Sequence, residues 1–206
     1  MAEPTRLAVN ASAFRYPDDD AMVSVLSRGE SVVLVAEGRA IMTFCAISAD
    51  TRQMAQLIRY SSGFVQVALP DAVCDRLLLP EAAPSQRSSG MIAAGQCVAV
   101  DAISGVTTGI SANDRAITAR TLAQPRTSPS DLTRPGHVVP IRVKADGGQA
   151  RAGAVVAAAL ALVTAASGVP AAVIADLVSV DFHADVMRCG EAEVFAASRG
   201  LAYRSI

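Results

Sequence analysis

The sequence predicts a mixed α/β fold of the α+β type, in which a layered, twisted, mixed sheet carries helices on its faces. Segments of strand length rich in β-branched residues are interleaved with segments whose apolar residues recur at helical spacing. The two kinds of segment do not alternate strictly, which favours a mixed sheet over an all-parallel one. The 206 residues show no internal repeat and no break in composition, so we expect one domain spanning 1–206.

The first part of the chain predicts two helices and two strands. Residues 20–29 (DAMVSVLSRG) have apolar side chains at helical spacing and end on a glycine, which indicates a short amphipathic helix. Residues 31–36 (SVVLVA) form a valine-rich buried strand, and residues 43–47 are a second candidate strand. Helical spacing returns at residues 51–59, where Asp50 or Thr51 stands in the capping position.

The middle of the chain continues in the same way. Residues 63–69 (GFVQVAL) alternate as a strand does, and residues 70–78 open a helix on Pro70. Residues 96–101 (QCVAVD) predict a strand. A serine cap and an aspartate in the first turn indicate a helix over 111–122, and a further strand is predicted over 138–144.

The most apolar stretch covers residues 152–174 and is mostly alanine. Gly168 and Pro170 interrupt it, so it predicts a buried helix ending near Gly168 rather than a membrane span, which needs about 20 strongly apolar residues. A strand over 171–177 and a helix over 191–199 follow.

Composition excludes several classes of function. With 51% hydrophobic residues, 18% charged residues and a formal net charge of -1, the composition argues against a strongly basic nucleic-acid-binding surface and leaves only a local basic patch open. No apolar leader precedes the first helix, so we expect a cytoplasmic protein with reduced cysteines. None of the cysteines forms a C-x-x-C pair, which argues against a zinc site. Cys45 and Cys97 are candidate nucleophiles, but both lie in apolar strands, which favours a buried position in the core.

Two strings stand out as candidate functional motifs. In residues 101–115 (DAISGVTTGISANDR), Thr107 and Thr108 precede a capped helix, where backbone N–H groups and hydroxyls favour an anion; an ordinary capped helix is the alternative. In residues 133–140 (TRPGHVVP), a turn delivers His137 to the start of a strand, in either a catalytic or a structural role. His183, between two carboxylates in DFHAD, is a candidate of the same kind.

The order and spacing of GVTTGISANDRA, LTRPGHVVP and RAG resemble the 3,4-dihydroxy-2-butanone 4-phosphate (DHBP) synthase family. The resemblance implies a homodimer with a layered mixed sheet and active sites at the dimer interface. It also implies conversion of ribulose 5-phosphate to formate and a four-carbon ketose phosphate for riboflavin synthesis, with magnesium or manganese. In the residues that match the family site, His137 corresponds to the catalytic histidine, Arg151 to the arginine beside the substrate phosphate, and Asp176 to the catalytic glutamate.

The departures from the family pattern concern the metal site. The family's acidic loop, D-D-E-D-R-E-N-E-G-D, is shortened in this sequence, and Glu37 is its only acid. The family's motif R-A-G-H-T-E-A is replaced by RAGAVVA, so Ala154 stands at the position of the metal-binding histidine. A hard divalent cation needs several oxygen or imidazole ligands, so we predict no metal and no cofactor. Ile41, Ala154, Val155 and Val156 would line a less polar pocket.

Three functions remain open. The first is a diverged, metal-free enzyme or binder of a small, less polar metabolite of specialised biosynthesis, with His137 and Asp176 as the catalytic pair. In that pair Asp176 would orient the imidazole. Arg151, Thr107, Thr108 and Glu37 would bind the ligand. The second is a non-catalytic partner or regulatory homologue, and the third is the genuine DHBP synthase. The sequence does not name the substrate, and it does not decide whether Glu37 or His183 replaces a lost ligand.

Overall fold

A computed structural model describes residues 19–36, 38–82, 95–143, 151–180 and 185–206, with the side chains of residues 151 and 152 outside the described part. The elements follow one another as α1 (Asp19–Ser27), β1 (Val32–Ala36), β2 (Arg39–Cys45), α2 (Thr51–Tyr60), β3 (Gln66–Pro70), α3 (Asp71–Arg76), β4 (Val100–Ala102), α4 (Ala112–Ala123), β5 (Leu132–Val143), α5 (Arg151–Ser167), β6 (Ala172–Asp176), α6 (Cys189–Ser198) and β7 (Ala202–Ser205). Two short 3₁₀ helices, Ala46–Ser48 and Pro129–Asp131, precede α2 and β5.

The strands form one seven-stranded sheet in the order β4-β5-β3-β6-β2-β1-β7. The pairs β3–β5 and β1–β7 are parallel, and the remaining neighbours are antiparallel. The predicted mixed sheet is therefore confirmed. Within it, β6 comes late in the chain but lies between β3 and β2.

Each face of the sheet is covered by its own set of helices. On one face α1 and α5 pack over Leu34, Ile41 and Ile174, and on the other face α2, α3, α4 and α6 pack around Phe44 and Leu69. Both cores are almost entirely aliphatic, as the composition predicts. Among the residues that the structure describes, no helix combines the length and the apolar character that crossing a bilayer requires.

Side-chain caps fix where two helices begin. The Asp50 carboxylate accepts a hydrogen bond from the backbone N–H of Gln53, whose side chain accepts one from the N–H of Asp50, so α2 starts with a capping box. The Ser111 hydroxyl accepts from the N–H of Asp114 at the start of α4. Both predicted caps are confirmed.

Several element boundaries differ from the prediction. β2 starts at Arg39 because a tight turn at Gly38, which has a φ of +74°, returns the chain directly from β1. The strand predicted over 96–101 is reduced to three residues, and β5 begins six residues earlier than predicted. β7 was not predicted: its four residues have little apolar pattern and are defined by parallel pairing with β1. The end of the strand predicted over 138–144 lies outside the described residues.

A buried aromatic side chain tests the packing of the larger core. We expect Phe44→Ala, at a position with no exposed area, to lower the free energy of unfolding by about 3–5 kcal/mol because it leaves a cavity. Phe64→Ala is the matched control, since Phe64 is 45% exposed and should lose far less. Urea denaturation followed by circular dichroism measures both, and equal losses would contradict this description of the core.

Candidate functional site

A histidine–aspartate pair joins β4 to β5. Nδ1 of His137 lies 2.7 Å from Oδ2 of Asp101, and the backbone N–H of His137 donates to Oδ1 of the same carboxylate at 2.9 Å. Asp101 is buried, whereas the side chain of His137 is 39% exposed. Because a carboxylate only accepts hydrogen bonds, Nδ1 carries the proton, and the neutral ring offers Nε2 as an acceptor.

A bulge in β5 sets the direction of the His137 side chain. Val100 and Asp101 are neighbours in β4, yet they pair with Val138 and Thr133, so four residues of β5 have no partner across the ladder. Those unpaired residues are Arg134, Pro135, Gly136 and His137. Bulges of this kind bend a strand and redirect its side chains, and they are frequent beside active sites. The R-P-G-H string therefore forms a bulge that brings His137 onto Asp101.

Two glycines leave space for the pair. A Cβ on Gly136 would lie 2.0 Å from the backbone carbon of Val100. A Cβ on Gly109 would lie 2.0 Å from Oδ2 of Asp101 and 2.6 Å from Nδ1 of His137, and the φ of +83° at Gly109 is itself one that side chains disfavour. The loop that contains Gly109 thus packs directly against the histidine–aspartate contact.

The same loop is held by the carboxylate of Asp114. It accepts hydrogen bonds from the hydroxyl and N–H of Thr107, at 2.8 and 3.2 Å, and from the N–H of Gly109 at 3.0 Å. These bonds, the Thr107 hydroxyl first among them, lower the pKa of Asp114 below its ordinary value. Thr107 therefore has a scaffolding contact, and both Thr107 and Thr108 are exposed. Their proposed ligand-binding roles stay predictions.

A second ionic pair lies at the end of β6. Nε and Nη2 of Arg39 donate to the two carboxylate oxygens of Asp176, at 2.5 and 3.1 Å. Both side chains are partly buried, with 23% of Arg39 and 28% of Asp176 exposed. This two-point arrangement is the strongest geometry available to a guanidinium and a carboxylate. Arg39 begins β2 directly after the Gly38 turn, so the short connection between β1 and β2 places it there.

The two pairs lie on strands that β3 separates. Asp176 pairs with Ile41, which lies in the core under α1 and α5, so Asp176 is on that face of the sheet. Strand β3 alone lies between β5 and β6. At a strand spacing of about 4.8 Å, β5 and β6 are roughly 10 Å apart across β3.

This arrangement corrects one part of the prediction. Asp101, rather than Asp176, orients the imidazole of His137, and the Asp176 carboxylate is bound by Arg39. Asp101 was missed as a site residue, although it opens the DAISGVTTG string and ends a predicted strand. A carboxylate at the end of the strand just before a candidate histidine was the available signal. Whether His137 and Asp176 act on one ligand stays a prediction.

Other predicted site residues have different outcomes. Glu37 and His183 lie outside the described residues, as does the side chain of Arg151. Ile41, Val155 and Val156 do not line a pocket: they are packed in the core under α5, because consecutive turns of that helix lie flat on β2 and β6. Ala154 is exposed in the first turn of α5.

The cysteines that were candidate nucleophiles are buried, as the alternative predicted. Cys45 lies beneath α5, and burial raises the pKa of its thiol. Cys97 contacts Cys74, and the hydrogen bond from that thiol, helped by Arg142, lowers the pKa of Cys97 to about 7. With 2% of its surface exposed, Cys97 is closed to substrates even so.

Acid should loosen the Gly109 loop. Since the folded-state pKa of Asp114 is depressed, its stabilising contribution is complete above the unfolded value near 3.8 and is lost as pH falls through the lower folded value. We expect the amide NMR signals of Thr107 and Gly109 to shift with a midpoint below 3.8. In Asp114→Asn they should already be displaced at pH 7, and unchanged signals in that variant would contradict the assignment.

Gly109→Ala should separate His137 from Asp101. The added Cβ overlaps the carboxylate, so we expect loss of the downfield Nδ1–H proton signal of His137 in NMR spectra, together with reduced stability. Gly168→Ala is the matched control, because Gly168 has a similar φ of +71° with open space around it. It should cost only the backbone strain of about 1–2 kcal/mol and keep the signal. Survival of the signal in Gly109→Ala would show that the loop does not constrain the pair.

Comparisons with known proteins agree with the fold. Residues 20–206 match the family model of 3,4-dihydroxy-2-butanone 4-phosphate synthase. The riboflavin biosynthesis protein RibBA of Mycobacterium tuberculosis is 40% identical over 189 residues, and that of Mycobacterium marinum is 41% identical. Each alignment covers 89% of this chain but 44% of the relative, so the chain spans less than half the length of these relatives.

Solved structures give the same result. A 3,4-dihydroxy-2-butanone 4-phosphate synthase crystallised with two magnesium ions is 33% identical, with a TM-score of 0.81 over 92% of this chain and 93% of that one. RibBX of A. baumannii, a two-domain synthase, is 26% identical with a TM-score of 0.80, and 55% of its chain is covered. The family model, the sequence identity and the shared sheet together show that this chain belongs to the 3,4-dihydroxy-2-butanone 4-phosphate synthase family.

Proposed function

We propose that the chain is an enzyme of this family that uses His137, oriented by Asp101, to move a proton at the carbon next to the carbonyl of a small hydroxyketone. The observation that carries the proposal is the contact between His137 and Asp101. The bulge in β5, the glycines at 136 and 109 and the loop around Gly109 all pack so that this contact can form. A fixed tautomer and a partly exposed imidazole are what a general base requires.

The proton transfer follows from this geometry. Nε2 of His137 accepts the proton, the electron pair of the broken C–H bond forms a carbon–carbon double bond, and the π pair of the carbonyl moves to its oxygen, which becomes the enolate oxyanion. Asp101 then faces the positive charge that the ring has acquired, and its two hydrogen bonds keep the ring from turning. A general base of this kind contributes about 10²–10⁴-fold to rate.

The described residues do not fit the metal that the family implies. In the first turn of α5, Gly153 and the exposed Ala154 have no side-chain ligand atoms, and both carboxylate oxygens of Asp176 accept hydrogen bonds from Arg39. Within the described part of the chain, no three His, Cys, Asp or Glu side chains converge as a metal centre would need. For that reason no step of the proposed reaction passes through a metal ion.

The genuine synthase is the second candidate, and the comparisons favour it. RibBA relatives at 40% identity are named for riboflavin biosynthesis, and the solved structures are named for the synthase. On that reading the chain converts ribulose 5-phosphate to 3,4-dihydroxy-2-butanone 4-phosphate and formate. The side chains around Arg39 and Ala154 favour the first candidate, and one assay separates the two.

Ribulose 5-phosphate in deuterated buffer is the probe. We expect exchange of the proton next to the carbonyl, seen by proton NMR, with little formate. His137→Gln should slow the exchange by about 10²–10⁴-fold, and Asp101→Asn should also slow it because the ring loses its fixed tautomer. Asp20→Asn, an exposed aspartate on α1, is the matched control.

Each other outcome of this assay has a definite meaning. Formate release with magnesium at about 1–1000 per second, the range of ordinary enzymes, would establish the synthase. Absence of both exchange and formate would instead favour a non-catalytic homologue. Exchange that persists in His137→Gln would remove the histidine from the mechanism.

A further inference from the structure

Two buried carboxylates flank Gly109 beside His137. Asp101 binds the imidazole and would touch a Cβ on Gly109, whereas Asp114 accepts a hydrogen bond from the N–H of Gly109. Asp101 is 6% exposed and Asp114 is 1% exposed. A negative charge beside an imidazole favours the protonated ring, and a second negative charge adds to that effect. Because a protonated imidazole has no acceptor for a substrate proton, a base in this place needs a compensating positive charge.

Arg115, in the first turns of α4, is a buried cation at this cluster. Only 6% of its surface is exposed. Its Nη1 donates to the carbonyl of Gly63 at 2.7 Å, and its Nε has no hydrogen-bond partner. Burial of a charged group is costly unless the charge is paired as well as hydrogen-bonded. A single carbonyl contact does not compensate for it, so a counter-charge is needed.

Asp101 supplies that counter-charge. Arg115 and Thr118 lie one turn apart on the same side of α4, and the Thr118 hydroxyl accepts from the backbone N–H of Ala102 at 3.0 Å. This bond holds that side of α4 against β4, next to Asp101. Burial lowers the pKa of the Arg115 guanidinium, and the negative charge of Asp101 opposes that effect. Asp101 therefore interacts with a guanidinium as well as with an imidazole.

The contact with Gly63 brings the same guanidinium close to β5. Gly63 belongs to the turn that leads into β3, and two residues later the carbonyl of Val65 accepts from the N–H of Val139. Val139 follows His137 by two residues in β5. The Arg115 side chain is thus held between β4 and the turn before β3, near the part of β5 that carries the histidine.

The charged groups around His137 come from two elements. β4 contributes Asp101, and α4 contributes Asp114 and Arg115. β3, which pairs with β5 on its other side, carries no charged side chain. In the bulge itself, the guanidinium of Arg134 donates to backbone carbonyls. Without Arg115, the charges that the structure describes beside Gly109 and the imidazole would be two carboxylates.

We propose that Arg115 is a positioning residue of the site, whose buried charge balances that of Asp101 so that the imidazole of His137 stays unprotonated at neutral pH. This inference rests on the proposed function, since an unprotonated ring is the form that removes a proton. Arginine keeps its charge at all working pH values, so the balance persists while the histidine titrates.

An NMR titration of the imidazole tests the proposal without any ligand. The chain has two histidines, and the signals that remain in His183→Gln belong to His137. We expect the titration midpoint of His137 to rise by about one pH unit in Arg115→Met, because loss of a nearby positive charge favours the protonated ring. Arg115→Lys keeps the charge and should titrate close to the original chain.

Arg120→Met is the matched control. Arg120 lies on the same helix and also donates to a backbone carbonyl, that of Ala49. Its loss should lower the melting temperature, seen by circular dichroism, and leave the titration of His137 unchanged. Proton exchange of ribulose 5-phosphate gives a second measurement. The acidic limb of its rate profile should move with the NMR midpoint in Arg115→Met and stay in place in Arg120→Met.

Three results would overturn the proposal: an unchanged midpoint in Arg115→Met, an equal rise in Arg115→Lys, or an equal rise in Arg120→Met. If Arg115→Met does not fold, Arg115→Gln makes the same comparison, because it also removes the charge. Failure of the proposed function gives a different result. A raised midpoint in Arg115→Met without any His137-dependent exchange would keep the charge balance and remove the proton transfer. Exchange that depends on His137, with an unchanged midpoint in Arg115→Met, would remove only the role of Arg115.

Discussion

The contact between His137 and Asp101 is the constraint on which the site depends. It needs a bulge in β5, because a regular ladder between β4 and β5 would leave no extra residues to carry the ring. It also needs glycine at 136 and at 109, since a Cβ at either position would enter the space of β4 or of the carboxylate. The Gly109 loop in turn depends on Asp114. The two conspicuous strings of the sequence are thus parts of one assembly.

Local patterns predicted the fold well because its elements are locally determined. The α2 cap at Asp50, the serine cap of α4 and the valine-rich β1 follow from residues that act within a few positions of themselves. β7 and the early start of β5 escaped prediction because pairing with β1 and β4, distant in the chain, decides them. Propensity is a weak guide wherever a partner strand supplies the hydrogen bonds.

The site was predicted only in part for the same reason. His137 was identified from the R-P-G-H string, but its partner was assigned to Asp176 when Asp101 occupies that position. Spacing along the chain does not show which of two carboxylates an imidazole meets, because strand order decides it. The contact of Arg39 with Asp176 joins residues 137 positions apart and has no local signal at all.

The core and the candidate site use different residues. Phe44, Leu57 and Leu69 pack with α2, α3, α4 and α6, and the apolar contacts of α5 with β2 and β6 begin at Val155. Ala154, one residue earlier, is exposed and takes no part in that core. A shared fold therefore does not by itself fix the chemistry at this end of the sheet.

The late position of β6 in the chain has a consequence for synthesis on the ribosome. β2 and β3 are complete early, yet each keeps an unpaired edge until residues 172–176 emerge and insert between them. Contacts between segments so far apart in sequence form slowly, and open strand edges promote association with other chains in the meantime. The nascent chain therefore keeps both of these edges open while α5 is being made, and one five-residue strand then covers the two of them.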